Sequence, residues 1–203
     1  MLLANKVTFV RILLSPVFFI VFMLSDFYSY LFPKSPFPGG TGWTVLVLWV
    51  VFICSQITDM LDGMIARKRK ETSDFGKLFD PFADTLMQLT CFLCFVLADI
   101  FPAGLYLLVL YREFGILFVR NMMMKKGIAM GARIWGKIKT VTYILAGGTA
   151  LVAVSIQKSG IAEFLFPWVK TGALIIFIIS VLFSLVSFID YIVVYHKAAD
   201  KNK

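Results

Sequence analysis

Long apolar stretches alternate with short polar ones along this chain. Apolar runs of about twenty residues recur at 7–25, 43–66, 81–98, 101–124, 138–156 and 166–195, and about twenty residues at 1.5 Å each cover the roughly 30 Å hydrocarbon core of a bilayer. Each run is predicted to be a membrane-crossing helix, because a backbone in lipid must satisfy its own hydrogen bonds. The interruptions carry turn residues: Pro33-Lys34-Ser35-Pro36-Phe37-Pro38-Gly39-Gly40 follows the first run, and Pro102 and Gly104 mark the turn between the third and fourth. There is no internal repeat and no linker long enough to join a second domain. The expectation is one all-α membrane domain over 1–203 with six transmembrane helices. Arg11 and Pro16 interrupt the first run and no small-residue cleavage site closes it, so a cleaved signal peptide is not expected.

Composition sharpens this. Hydrophobic residues are 60% of the 203 and charged residues 16%, against about 45–50% and 25% in soluble domains. A chain of this size cannot hide that much apolar surface from water, which excludes a disordered segment, a disulfide-stapled secreted module and most cytosolic enzymes. The net charge of +8 comes from 20 Lys and Arg against 12 Asp and Glu. It reads as basic loops meeting anionic headgroups rather than as a nucleic-acid surface. Once the six runs are threaded, every base except Lys34, Lys158 and Lys170 falls on one side. Both termini are therefore expected in the cytoplasm of a cell whose cytoplasmic membrane the chain crosses six times. Cys54, Cys91 and Cys94 read as packing residues in apolar helices, and His196 as part of a solvated tail.

The ionisable residues near that cytoplasmic side are Asp59, Asp62, Asp80, Asp84, Arg112, Glu113, Arg120, Lys137 and Lys139. Charges in spans cost roughly 2.5–3.5 kcal/mol each on insertion scales and usually line a functional cavity. Snorkelling explains a single Lys or Arg at a helix end, but not four converging aspartates. At 100° per residue, Asp59, Asp62, Gly63, Ala66 and Arg67 share a stripe about 140° wide, and Gly76, Asp80 and Asp84 form a second. Unpaired carboxylates gathered at a low-dielectric edge repel one another. Hard divalent cations with oxygen ligands resolve the repulsion, and Mg²⁺ or Mn²⁺ is the expected occupant. Metals held by carboxylates beside basic residues suit phosphate chemistry. Gly63 and Ala66 leave room for a ligand to approach the helix backbone, and Arg67 can pair with a phosphate.

The run Asp59-x-x-Asp62-Gly63-x-x-Ala66-Arg67, eight residues, Gly76-x-x-x-Asp80-x-x-x-Asp84 resembles the signature of the CDP-alcohol phosphotransferase family at every defined position. The resemblance implies a six-helix fold, usual homodimerisation, and transfer of a phosphatidyl or phospho-alcohol group from a CDP-linked donor to an alcohol, with release of CMP. It implies that Asp59, Asp62, Asp80 and Asp84 hold two metal ions and that Asp84 also acts as general base. Asn5, Thr8, Gly63, Arg67 and Ser73 would contact CDP-diacylglycerol. Outside the signature, Asn5-x-x-Thr8-x-x-Arg11, Arg112-Glu113-Phe114 with Arg120, and Gly136-Lys137-Ile138-Lys139-Thr140 resemble the bacterial branch that uses sn-glycerol 3-phosphate. Thr85 and Tyr143 depart from that branch, where Lys and Gln are common.

Arg120, Lys137 and Lys139 are the candidates for the acceptor's phosphate, because an anionic acceptor needs fixed cations near the metals. Arg112 and Glu113, deeper in the fourth run, are expected to pair with each other or with the surrounding network. The same chemistry with inositol phosphate or serine as acceptor is the alternative. A divalent-cation transporter would show inverted repeats and acids on both sides of a midplane site, and neither pattern is visible.

Overall fold

The computed structural model describes residues 3–31, 39–69, 74–125, 134–160 and 162–200; within the helices, the side chains of 3–7, 26, 28–31, 39–41, 59–69, 74–78, 125 and 196–200 lie outside the description. Among the described residues six helices dominate: α1 (Leu3–Leu31), α2 (Gly39–Arg69), α3 (Asp74–Leu97), α4 (Ala103–Lys125), α5 (Ile134–Ser159) and α6 (Phe166–Asp200), with a 3₁₀ turn, Glu163–Leu165, before α6. Among the described residues there is no strand. Each apolar run falls mainly on one helix, and most helices extend past their run because polar flanks continue the same backbone bonding. The largest extension is at α3. The apolar run starts at Pro81, a residue best tolerated in a first helical turn, yet Pro81 sits inside a helix that starts at Asp74.

Two tight reversals keep neighbouring helices together. Between α3 and α4, the Ile100 and Phe101 amides both donate to the Phe95 carbonyl, at 3.0 and 3.2 Å. The Pro102 carbonyl then accepts from Leu105 and Tyr106. After α5, Gly160 adopts φ +66° and its N–H donates to the Ile156 carbonyl at 3.0 Å. This left-handed close ends a helix at little cost only for glycine.

In the packing, α1 lies against both α2 and α3, α5 against α6 and α2, and α4 against α6 and α3. The core is aromatic. Phe101 stacks on Phe177 with ring centroids 3.9 Å apart, and Phe92 stands edge-on to Phe177 at 5.0 Å and to Tyr143 at 5.3 Å. Such edge and stacked contacts add to the burial energy of each ring. The molecule's polarity is otherwise inverted. Leu13, Ile20 and Leu24 of α1 and Leu182 and Ile189 of α6 are exposed, while Arg11, Ser15, Arg112, Glu113, Ser180, Ser184 and Ser187 are buried. In water that exterior would far exceed the few hundred Å² of apolar patch a soluble monomer shows; in lipid it is the outer surface a membrane protein needs. Among the described residues, four of the helices qualify as spans by length and composition, over Thr8–Ser25, Phe79–Leu97, Ile134–Ser159 and Glu163–Tyr195. The apolar part of α2, Gly42–Thr58, is shorter, and α4 carries Arg112, Glu113 and Arg120 along its 23 residues.

Candidate active site

Helical spacing places polar rows on two facing helices. Thr8 and Arg11 are three apart on α1, and Asp80 and Asp84 four apart on α3, so each pair shares a face. Thr8 Oγ1 donates to Asp80 Oδ1 at 2.5 Å, and the Arg11 guanidinium pairs with Asp84 Oδ1. Further along, the Ser15 and Thr90 hydroxyls lie 2.7 Å apart. Thr8 and Arg11 are buried, whereas the Asp84 side chain remains 46% exposed. A guanidinium buried among apolar helices is expensive unless a carboxylate accompanies it, and α3 supplies one.

A second network joins α4, α5 and α6. Glu113 Oε1 accepts from Arg112 Nη1 at 2.7 Å and from Lys139 Nζ at 2.9 Å. Arg112 Nε donates to the Ser184 carbonyl at 3.0 Å, and Tyr143 donates its hydroxyl proton to Ser184 Oγ at 2.7 Å. The Lys139 ammonium also sits 4.6 Å from the centre of the Tyr143 ring, a cation–π contact. The expected Arg112–Glu113 pairing is present, and Lys139 completes it.

A cavity of about 330 Å³ connects the two networks, within the range of small-ligand sites. Asp84 and Thr85 line it from α3, and Arg112, Glu113 and Arg120 from α4. Lys137, Lys139 and Tyr143 line it from α5, and Arg11 reaches it from α1. Among the described residues, five cations thus face two carboxylates across its walls. A small anion entering such a space meets fixed charge that water screens poorly.

Of the candidates named from the sequence, Thr8 and Asp80 bond to each other, and Asp84, Arg120, Lys137 and Lys139 surround the cavity. Asn5 on α1 and Asp59, Asp62, Gly63 and Arg67 on α2 belong to described helices, with side chains outside the described residues; Ser73 lies outside them altogether. Among the described residues no three potential ligating side chains converge. Asp80 and Asp84 are nevertheless suited to a hard divalent cation: two carboxylates one turn apart, the exposed one opening on the cavity. The sequence offers Arg11 as part of the Asn5-x-x-Thr8-x-x-Arg11 motif, with no role at the site, and Tyr143 only as a departure. The helical offset of three from Thr8 to Arg11 was the available signal for the first.

The model of the CDP-alcohol phosphatidyltransferase family matches residues 1–198. The chain is 32% identical over 195 residues to the CDP-diacylglycerol–glycerol-3-phosphate 3-phosphatidyltransferase of Treponema pallidum, covering 95% of this chain and 88% of that one. It is 31% identical over 156 residues to the protein of the same name from Bacillus subtilis, covering 74% and 76%. For the Haemophilus influenzae protein of that name the values are 31% over 151 residues, 71% and 72%. With its aspartate row, its facing α1 row and a match that runs through all six helices, the chain belongs to the CDP-alcohol phosphatidyltransferase family.

Proposed function

We propose that this protein is a CDP-diacylglycerol–glycerol-3-phosphate 3-phosphatidyltransferase, forming phosphatidylglycerol phosphate and CMP in the cytoplasmic membrane as a single domain over 1–203. The observation that carries this reading is the cavity, which brings Asp84 together with Arg112, Arg120, Lys137 and Lys139. A carboxylate beside several cations suits an acceptor that bears both a reacting hydroxyl and a phosphate. The named relatives, which match over most of the chain, support the same acceptor.

In the reaction, a glycerol hydroxyl oxygen forms a bond to the diacylglycerol-bearing phosphorus while the bond from that phosphorus to the CMP oxygen breaks. Asp84 receives the hydroxyl proton, and Arg11 fixes the direction of its carboxylate. Arg120, Lys137 and Lys139 hold the acceptor's phosphate, with Lys139 oriented by Glu113 and Tyr143. Asn5, Thr8, Gly63, Arg67 and Ser73 bind the CDP headgroup. Asp59, Asp62, Asp80 and Asp84 would hold two divalent ions, Mg²⁺ or Mn²⁺, which when bound would supply charge compensation at the pyrophosphate. The protein crosses the membrane six times as a homodimer, with termini and active site on the cytoplasmic side. Two of the three exceptional bases support that orientation. Lys158 lies over the Phe22 ring at 4.5 Å and Lys170 by Phe166 at 5.9 Å, at the ends of α1, α5 and α6 remote from Arg11 and Lys139.

Product identity tests the reading. Purified protein given CDP-diacylglycerol, glycerol 3-phosphate and Mg²⁺ should yield CMP and phosphatidylglycerol phosphate by mass spectrometry. Formation of phosphatidic acid instead of CMP would place the attack on the wrong phosphorus and overturn it.

A further inference from the structure

Gln88 and Ser187 are polar residues of the cavity with no part in that mechanism. Gln88 Nε2 and Ser187 Oγ are sealed from solvent, neither has a hydrogen-bond partner among the described residues, and both residues line the cavity. Ser187 is fully buried. Buried amides and hydroxyls in native proteins are almost always bonded, and leaving one without a partner costs about as much as the bond it forgoes. Two such orphans belong to residues that line one cavity.

Their positions agree with the chemistry. Gln88 continues the Asp80–Asp84 row by another four residues, about 6 Å further along α3. Ser187 lies on α6 three residues past Ser184, which anchors both Arg112 and Tyr143. An acceptor fixed by its phosphate on the cations and by its reacting hydroxyl at Asp84 still has a hydroxyl between those two anchors. That group both donates and accepts; Gln88 Nε2 donates, and Ser187 Oγ does either.

We propose that Gln88 and Ser187 form a subsite for the secondary hydroxyl of a phosphorylated polyol acceptor, and so select polyol phosphates over simple alkanol phosphates. The inference rests on the proposed function and assigns specificity within it. A site built to bond a hydroxyl rejects the analogue that lacks it, because its own polar groups are then stranded.

The test compares kcat/KM for CMP release with glycerol 3-phosphate and with 3-hydroxypropyl phosphate, which lacks only the middle hydroxyl. It uses the full-length enzyme in lipid nanodiscs with CDP-diacylglycerol and Mg²⁺. The wild type is expected to prefer glycerol 3-phosphate by roughly tenfold or more. Gln88→Leu and Ser187→Ala should each lower the rate with glycerol 3-phosphate while leaving the analogue's rate and the KM for CDP-diacylglycerol in place, so that the preference shrinks severalfold. The analogue's rate in each variant controls for misfolding. Equal wild-type rates with the two acceptors overturn the subsite, as does an equal loss of both in the variants. Absence of turnover with glycerol 3-phosphate overturns the proposed function and the subsite with it.

Discussion

Replacing Glu113 by Gln tests the buried charge network most severely. The variant keeps the shape of the side chain and removes its charge. Arg112 and Lys139 then stand close together, with exposures of 4% and 16%, around an amide that cannot neutralise either. Breaking a buried pair by removing one partner costs about 3–5 kcal/mol. The lower end applies here, because Arg112 keeps its 3.0 Å bond to the Ser184 carbonyl and Lys139 keeps the Tyr143 ring. For a chain of this size each kcal/mol moves the unfolding midpoint by about 2–4 °C, so about 3 kcal/mol predicts a fall of roughly 6–12 °C in a detergent thermal scan. Leucine at Arg112, Glu113 and Lys139 together should recover most of that loss, because no uncompensated charge remains, while transfer activity disappears. An unchanged midpoint in Glu113→Gln would refute the view that these three residues form a desolvated ionic cluster.

Asp84→Asn should lower turnover by about 10²–10⁴-fold, the usual contribution of a positioned general base, with helix content by circular dichroism unchanged; normal turnover would remove Asp84 from the chemistry. Chelation of divalent ions should stop CMP release and added Mg²⁺ restore it, with helix content again constant. Gly147→Ala places a Cβ 3.0 Å from the buried Phe52 ring and should destabilise by about 1–3 kcal/mol. Gly148→Ala, one residue on, meets nothing within 4 Å and should be neutral or slightly stabilising; thermal scans of the two variants decide whether α5 and α2 pack as described.

The helices were legible because the bilayer demands apolar runs of a fixed length, and Asp80 and Asp84 were legible because an offset of four keeps them on one face. Helix ends were less so: hydropathy marks where lipid stops, whereas backbone bonding carries α3 back to Asp74 and α6 on to Asp200. Partners across helices were not legible at all. Nothing local to Arg11 says that it meets Asp84, since that pairing depends on how α1 lies against α3. The polar seam of α6, with Ser180, Ser184 and Ser187 at offsets of four and three, was hidden by the apolar residues around it. Gln88 extends a row already noticed by one more step of four. A row of polar residues inside an apolar run deserves to be followed to its end, because each member costs energy unless something inside the bundle meets it.

The central claim is that a cationic cavity presents a phosphorylated alcohol to Asp84. The most direct measurement is metal-dependent CMP release from CDP-diacylglycerol by purified protein with glycerol 3-phosphate, inositol phosphate, serine and glycerol as separate acceptors. The account predicts rapid release with glycerol 3-phosphate, little with the others, and loss of the preference for the phosphorylated acceptor over glycerol in Arg120→Met and Lys137→Met. Efficient turnover of serine or glycerol, undiminished in those variants, would contradict it.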